Sequence, residues 1–159
     1  SQEENIKINL SKKHTLIEIG GTLIISRLLD GQFFKYENSL NIPVKNSITV
    51  NTQEFTQCVE RVSPVINEKL RNPIKCLFED GAVKLTYTSS IARAYDECAY
   101  EGICESMEIG ISNKYLLDAL HAIDDEKIIL EFNSPSSPFI IKPLDGNYFF
   151  YMIAPVRPM

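Results

Sequence analysis

Side chains able to do chemistry are few in this 159-residue chain, and they form no catalytic pattern. There are two histidines, His14 and His121, and four cysteines, Cys58, Cys76, Cys98 and Cys104. Nucleophilic catalysis needs a base held beside its nucleophile. His14 falls at a turn between strand-like segments and His121 near a helix end, with no nucleophile set by spacing. The cysteines show no CxxC and no regular spacing, so a zinc site is not expected. They read as small, mostly buried hydrophobes in a reducing cytoplasm. No Walker loop or GxGxxG offers a phosphate cradle. The run Asp124-Asp125-Glu126 has metal-ligand chemistry but reads better as a helix-to-strand turn. A non-catalytic protein without cofactors is expected.

Composition narrows the class. Hydrophobic residues make up 44% and charged residues 23%, enough for an ordinary packed core. Seven glycines and eight prolines argue against low complexity. No apolar run approaches the roughly 18–20 residues of a membrane span, and the N-terminus lacks signal-peptide form. A soluble chain with no membrane role is expected. The net charge of -5 argues against binding nucleic acid by bulk charge, although a local basic surface remains compatible. The chain opens on Ser1, which reads as an internal cut in a longer protein.

The elements that position these residues are mostly strands. Ile6, Ile8 and Leu10 alternate with Lys7, Asn9 and Ser11, a half-buried strand pattern. Ile17 and Ile19 flank Glu18 in a second strand, Gly20-Gly21 makes a turn, and Thr22 to Leu28 reads as a third. Residues 31–46 read as an irregular linker. Ile48 and Val50 then form a short strand, and Asn51 or Thr52 caps a helix with Glu54 completing a capping box. Phe55, Val59, Val62 and Ile66 lie on one helical face, and Pro64 predicts a distorted or early helix end. Strands follow at Ile74–Glu79, Val83–Thr88 and Ala92–Tyr100.

The plan then repeats. Glu108–Ile111 is a strand, Ser112 an N-cap, and Leu116, Ala119, Leu120 and Ile123 the apolar face of a second helix. Strands at Lys127–Phe132, Phe139–Lys142 and Asn147–Ala154 complete it. The two passages superpose at an offset of 60, placing Thr52 on Ser112 and Phe55 on Tyr115. The unit is strand, helix, three strands, used twice. Residues 5–29 match the last three strands of such a unit without its helix, which leaves an apolar sheet face open.

Four segments carry a family resemblance, and they occur in the family's order. They are Ser26 through Tyr36, Asn67-Glu68-Lys69-Leu70-Arg71, Met107-Glu108-Ile109-Gly110 followed by Tyr115 through Leu120, and Tyr151-Met152-Ile153-Ala154-Pro155-Val156-Arg157. Together with the doubled unit, they resemble the C-terminal part of the bacterial replicative sliding clamp, the beta subunit of DNA polymerase III. Phe34 and Asn38 depart from the proline and basic residue usual there, and the ending Pro158-Met159 is also atypical.

The resemblance implies an α+β DNA-clamp fold, with helices on one face of antiparallel sheets. Residues 1–42 would be the incomplete second half of the middle domain plus linker, and 43–159 the C-terminal domain. It implies a processivity factor whose ring surrounds duplex DNA without reading sequence, contacting phosphates. Arg61, Lys69, Arg71 and Lys114 would face the DNA, with His121 a further candidate in a mildly basic lining. Val65 and Ile66 would match the interface that closes a homodimeric ring. A groove would take linear motifs of polymerase, clamp loader and repair proteins. Its matching positions are Phe34, Asn38, Ser39, Leu70, Ser112, Tyr115, Ser136, Met152, Ile153, Ala154, Pro155, Val156 and Arg157. The family's Thr-Asp-Gly-His-Arg-Leu-like turn from the middle domain is absent here, so weaker peptide affinity than in the intact protein is expected.

Each of these charged or apolar residues has a plainer reading. The cations could be solvated helix charges, Met152 and Ile153 edge-strand core, and Ile66 core. The rival function is a stand-alone clamp relative acting as a peptide-binding or dimerisation module. The uncovered sheet at residues 5–29 favours a fragment over that rival.

Overall fold

In the computed structural model, the protein is described over residues 5–33, 35–40, 43–66 and 73–156, except for the side chains of Asn38 and Ser39. The chain divides into two compact units, Ser1–Leu40 and Asn41–Met159.

The first unit is an antiparallel meander of β1 (Lys7–Leu10), β2 (His14–Ile19) and β3 (Thr22–Arg27). Gly20 and Gly21 make the β2–β3 turn at φ 53° and 78°. Two successive positive φ values suit the twist of a tight hairpin, and glycine adopts them without a Cβ clash. The register sets Ile8, Ile17 and Ile24 directly opposite one another across the three strands. Ile8 and Ile24 are exposed within the unit. A short helix α1 (Glu37–Leu40) stands where the sequence reads as an irregular linker.

The second unit holds the core. Its first repeat runs through β4 (Asn46–Asn51), α2 (Thr52–Val62), β5 (Ile74–Glu79), β6 (Ala82–Thr88) and β7 (Arg93–Ala99). A short β8 (Glu101–Ile103) follows. The second repeat is β9 (Met107–Ile111), α3 (Asn113–Leu120), β10 (Lys127–Phe132), β11 (Phe139–Pro143) and β12 (Tyr151–Ile153). Alternating burial in β5 and β10 matches the period of two read from their sequences.

Strand pairing interlocks the repeats. The sheets run β12-β11-β10-β4-β8 and β7-β6-β5-β9. Each repeat's opening strand therefore joins the other repeat's sheet, with Val50 opposite Ile128 and Ile111 opposite Ile74. Neither repeat can complete its sheet alone. Phe78 of one sheet packs on Phe132 of the other at 4.3 Å between ring centroids, with Phe139 6.1 Å from Phe78. All three are fully or almost fully buried, and this aromatic contact joins the two sheets.

The structure corrects the register of the repeat. Asn51, not Thr52, caps α2: its side chain accepts a hydrogen bond from the Glu54 amide at 3.0 Å. Asn51 then corresponds to Ser112, and buried Phe55, Cys58 and Val59 correspond to buried Leu116, Ala119 and Leu120. The offset through strand and helix is 61, not 60. Phe55 is thus the counterpart of Leu116, while Tyr115 faces outward.

Helix α2 stops where Pro64 predicts. Ser63 caps it, and Ser63–Val65 form a single 3-10 turn. Ile66 therefore lies beyond the helix in extended backbone, correcting its place on the helical face. The strand expected over Asn147–Ala154 shortens to Tyr151–Ile153.

Candidate functional site

The sequence-predicted residues come together best between α3 and β12. Ser112 leads into α3 with φ -66° and ψ 121°, although its side chain makes no capping hydrogen bond. Leu116, Ala119 and Leu120 then turn inward, which leaves Tyr115 and Asp118 outward on successive turns. Tyr115 is 62% exposed. Across from them lies β12, held on one side by β11 through Ile140 opposite Met152. Its Ile153 is buried, while Tyr151 and Met152 are half-buried.

Between these walls is a groove of about 460 Å³, lined by Tyr115, Asp118, Ala119, Tyr151, Met152, Ile153 and Ala154. The lining is largely apolar and aromatic, with Asp118 as its one carboxylate. β12 is an edge strand, so its backbone groups on the side away from β11 have no strand partner among the described residues. Such a groove can bury apolar side chains of an extended peptide while an open strand edge fixes its direction.

The segment after β12 is fastened at a second point. The Val156 amide donates to the Gly110 carbonyl of β9 at 2.8 Å. Pro155 and Val156 are half-buried and do not line the groove. Ser136 lies in an exposed turn, its hydroxyl 3.3 Å from that of Ser134, and is not part of the lining. Neither is Ser112. Phe34, Leu70 and Arg157 lie outside the described residues, as do the side chains of Asn38 and Ser39. Asp118, Ala119 and Tyr151 are the lining residues that sequence reasoning missed. The first two were available from their i+3 and i+4 spacing to Tyr115.

The expected DNA-facing cations divide differently. Arg61 is ion-paired with Asp96 of β7, and its Nη2 is 3.3 Å from the Cys58 sulfur. The pair lifts the Arg61 guanidinium above its ordinary range and lowers the Asp96 carboxyl, in both cases chiefly through their hydrogen bond. Lys114 is exposed on α3. Lys69 and Arg71 lie outside the described residues.

The exposed surfaces of α2 and α3 also carry Glu54, Glu60 and Asp118. His121 Nε2 lies 2.9 Å from Glu60 Oε1, linking the end of α3 to α2. A cleft of about 470 Å³ there is lined by Glu60, Asp124, Asp125 and Glu126, with no lysine or arginine among its lining residues. Among the described residues of α2, α3 and this cleft, acidic side chains outnumber basic ones, and two of the four expected cations lie outside the described residues. The run Asp124-Asp125-Glu126 lies in the connection from α3 to β10, and the Glu126 carbonyl accepts from the Thr52 amide at 2.9 Å.

Val65 and Ile66 are half-buried and pack against the core, so they combine core packing with partial exposure. The four cysteines are free, three of them buried. No helix among the described residues is long and apolar enough to cross a membrane.

Comparison with known proteins places this architecture. The chain is 30% identical over 158 residues to the beta sliding clamp of Halalkalibacterium halodurans, covering 98% of this chain and 42% of that protein. It therefore spans well under half the length of that relative. Among solved structures, the sliding clamp of Bartonella birtlesii bound to griselimycin matches with a TM-score of 0.84 and 27% identity, over 96% of this chain and 41% of that one. The DNA polymerase III beta subunit of Pseudomonas aeruginosa matches with a TM-score of 0.86 and 25% identity, over 99% and 43%. The family model for the C-terminal domain of the DNA polymerase III beta subunit matches residues 42–157. An α+β fold of antiparallel sheets, a doubled unit and that match agree: the chain belongs to the DNA polymerase III beta subunit family, through its C-terminal domain.

Proposed function

We propose that this chain is the partner-docking end of a sliding clamp, a non-catalytic part of a processivity factor acting in the cytoplasm. The groove between α3 and β12 carries the proposal, because it sets an aromatic and aliphatic lining beside an open strand edge. Short linear motifs of polymerase, clamp-loader and repair proteins would bury apolar side chains there. In the complete protein, a homodimeric ring would surround duplex DNA and hold the polymerase to it. Residues 1–42 would then be part of the middle domain and linker. Val65 and Ile66 would lie near the subunit contact.

The DNA contribution of this chain would be small. Arg61 is neutralised by Asp96, and the cleft between α2 and α3 is acidic. Lys114, Lys69 and Arg71 are the remaining candidates for phosphate contacts, each adding one counterion-release increment to the salt dependence.

Griselimycin, bound in the Bartonella birtlesii clamp, provides the docking test. Calorimetric titration should show saturable binding to this chain, weakened about tenfold or more by Tyr115→Ala, since exposed aromatic anchors dominate such sites. Binding untouched by Tyr115→Ala and by Met152→Ala would place the site elsewhere. For the ring, an immunoblot of source cells should reveal a protein far heavier than 18.0 kDa. A band at that mass would instead favour a separate peptide-binding relative.

A further inference from the structure

The groove between α3 and β12 carries a single carboxylate next to an exposed aromatic ring, and we propose that Tyr115 and Asp118 together select partner peptides with an arginine or lysine over α3. The inference rests on the docking reading above and specifies the partner's chemistry. Tyr115 and Asp118 are three residues apart on one helix, so their side chains are neighbours on its surface. Both are exposed, and both line the groove.

The ring face of an exposed tyrosine attracts a cation, and the attraction grows as the site is covered by ligand. A carboxylate beside it supplies the charge-assisted hydrogen bond. An arginine suits both features, because its stem lies along apolar surface, its plane stacks on the ring and its fork meets the carboxylate. Tyr151, Met152 and Ile153 supply the apolar surface opposite.

Asp118 forms no ion pair among the described residues. The nearest cation along α3 is Lys114, one turn earlier and also exposed. Lysine placed N-terminal to an acid is the weaker order for such a helical pair. A peptide cation seated in the groove therefore competes with a weak local partner. An acidic residue at the same peptide position would meet uncompensated like charge.

The test uses fluorescein-labelled eight-residue peptides with leucine and phenylalanine as apolar anchors. One position at a time carries either arginine or its neutral analogue citrulline, and binding is read by anisotropy. At one or two neighbouring positions, the arginine form should bind the unmodified chain about two- to fivefold more tightly. That advantage should shrink clearly in Asp118→Asn, which keeps the side-chain shape and leaves the Tyr115 ring, and should shrink also as salt is raised. Peptides that bind, compete with griselimycin and show no arginine advantage at any position would overturn the selection while leaving the groove intact. An advantage undiminished in Asp118→Asn would do the same. Peptides that bind nowhere, with griselimycin also failing to bind, would remove the docking reading and the selection with it.

Discussion

The Val156 amide donates to the Gly110 carbonyl at 2.8 Å, and this bond ties the segment after β12 to the edge strand β9. It explains why position 110 holds glycine. A Cβ there would collide with the Val156 carbonyl and reach Pro73 Cγ at 3.2 Å. The collision is with backbone, which cannot swing aside like a long side chain. Gly110→Ala should therefore cost about 1–3 kcal/mol of stability, the usual cost of overpacking. It should also weaken griselimycin binding, because the displaced segment follows directly from β12. Denaturant unfolding and calorimetry on the same preparation read the two effects. Unchanged stability with unchanged binding would show that the terminal segment does not brace the groove.

The two helix caps make an internal comparison. Asn51 accepts from the Glu54 amide, whereas Ser112 makes no side-chain capping bond. Asn51→Ala should cost about 1 kcal/mol, the typical value for a lost cap. Ser112→Ala should cost clearly less. Thermal unfolding of the two variants decides it, and equal losses would mean that Ser112 caps α3 in solution.

Strands whose burial alternates were legible from sequence: Ile74–Glu79 and Lys127–Phe132 appear with the bounds their alternation suggests. Pro64 likewise announced the end of α2. Elements set by distant pairing were not legible. β8 is three exposed residues with no alternation to read, and it exists because β4 offers an edge. The exchange of opening strands between repeats leaves no local trace either. The register of the repeat slipped by one because Asn51 and Thr52 both have capping side chains, and only the hydrogen bond to Glu54 separates them. At the groove, Tyr115, Met152, Ile153 and Ala154 came from family resemblance, and the structure sets them around one space. The sequence does not single out Asp118, since its importance depends on what lies across from α3.

The Arg61–Asp96 pair ties α2 to β7 and sets a pH dependence. Hydrogen bonding to Arg61 lowers the Asp96 carboxyl relative to an unfolded aspartate. A lowered carboxyl contributes stability that is present above the unfolded carboxyl's titration range. That contribution is lost as pH falls through the lowered folded value. Asp96→Asn should accordingly be less stable than the parent chain at neutral pH. The gap should narrow on acidification below the ordinary aspartate range. Melting temperatures measured across that range test it, and a gap independent of pH would assign the loss to packing. Arg61 is 55% exposed by its side chain, so salt should also reduce the neutral-pH gap.

Burial arranges the cysteines in an order of reactivity. It pushes the Cys76 thiol up to about 12 and also raises Cys58 and Cys98, in each case as the largest cause. Cys104 is raised too, chiefly by burial, but it is the one cysteine that remains partly exposed. Thiolate is the reactive form, and a reagent must reach it. With Ellman's reagent at mildly alkaline pH, the native chain should show a fast phase belonging to Cys104, absent in Cys104→Ser. The other three should react only at the rate of opening, and concentrated guanidinium should merge all four. The same shifts act on stability, because a raised thiol favours the folded state fully only below the unfolded thiol's titration range. As pH climbs from there towards the folded values, the unfolded chain ionises first and the melting temperature should fall. A fast phase that persists in Cys104→Ser would show that one of the three cysteines buried in this structure is open to reagent.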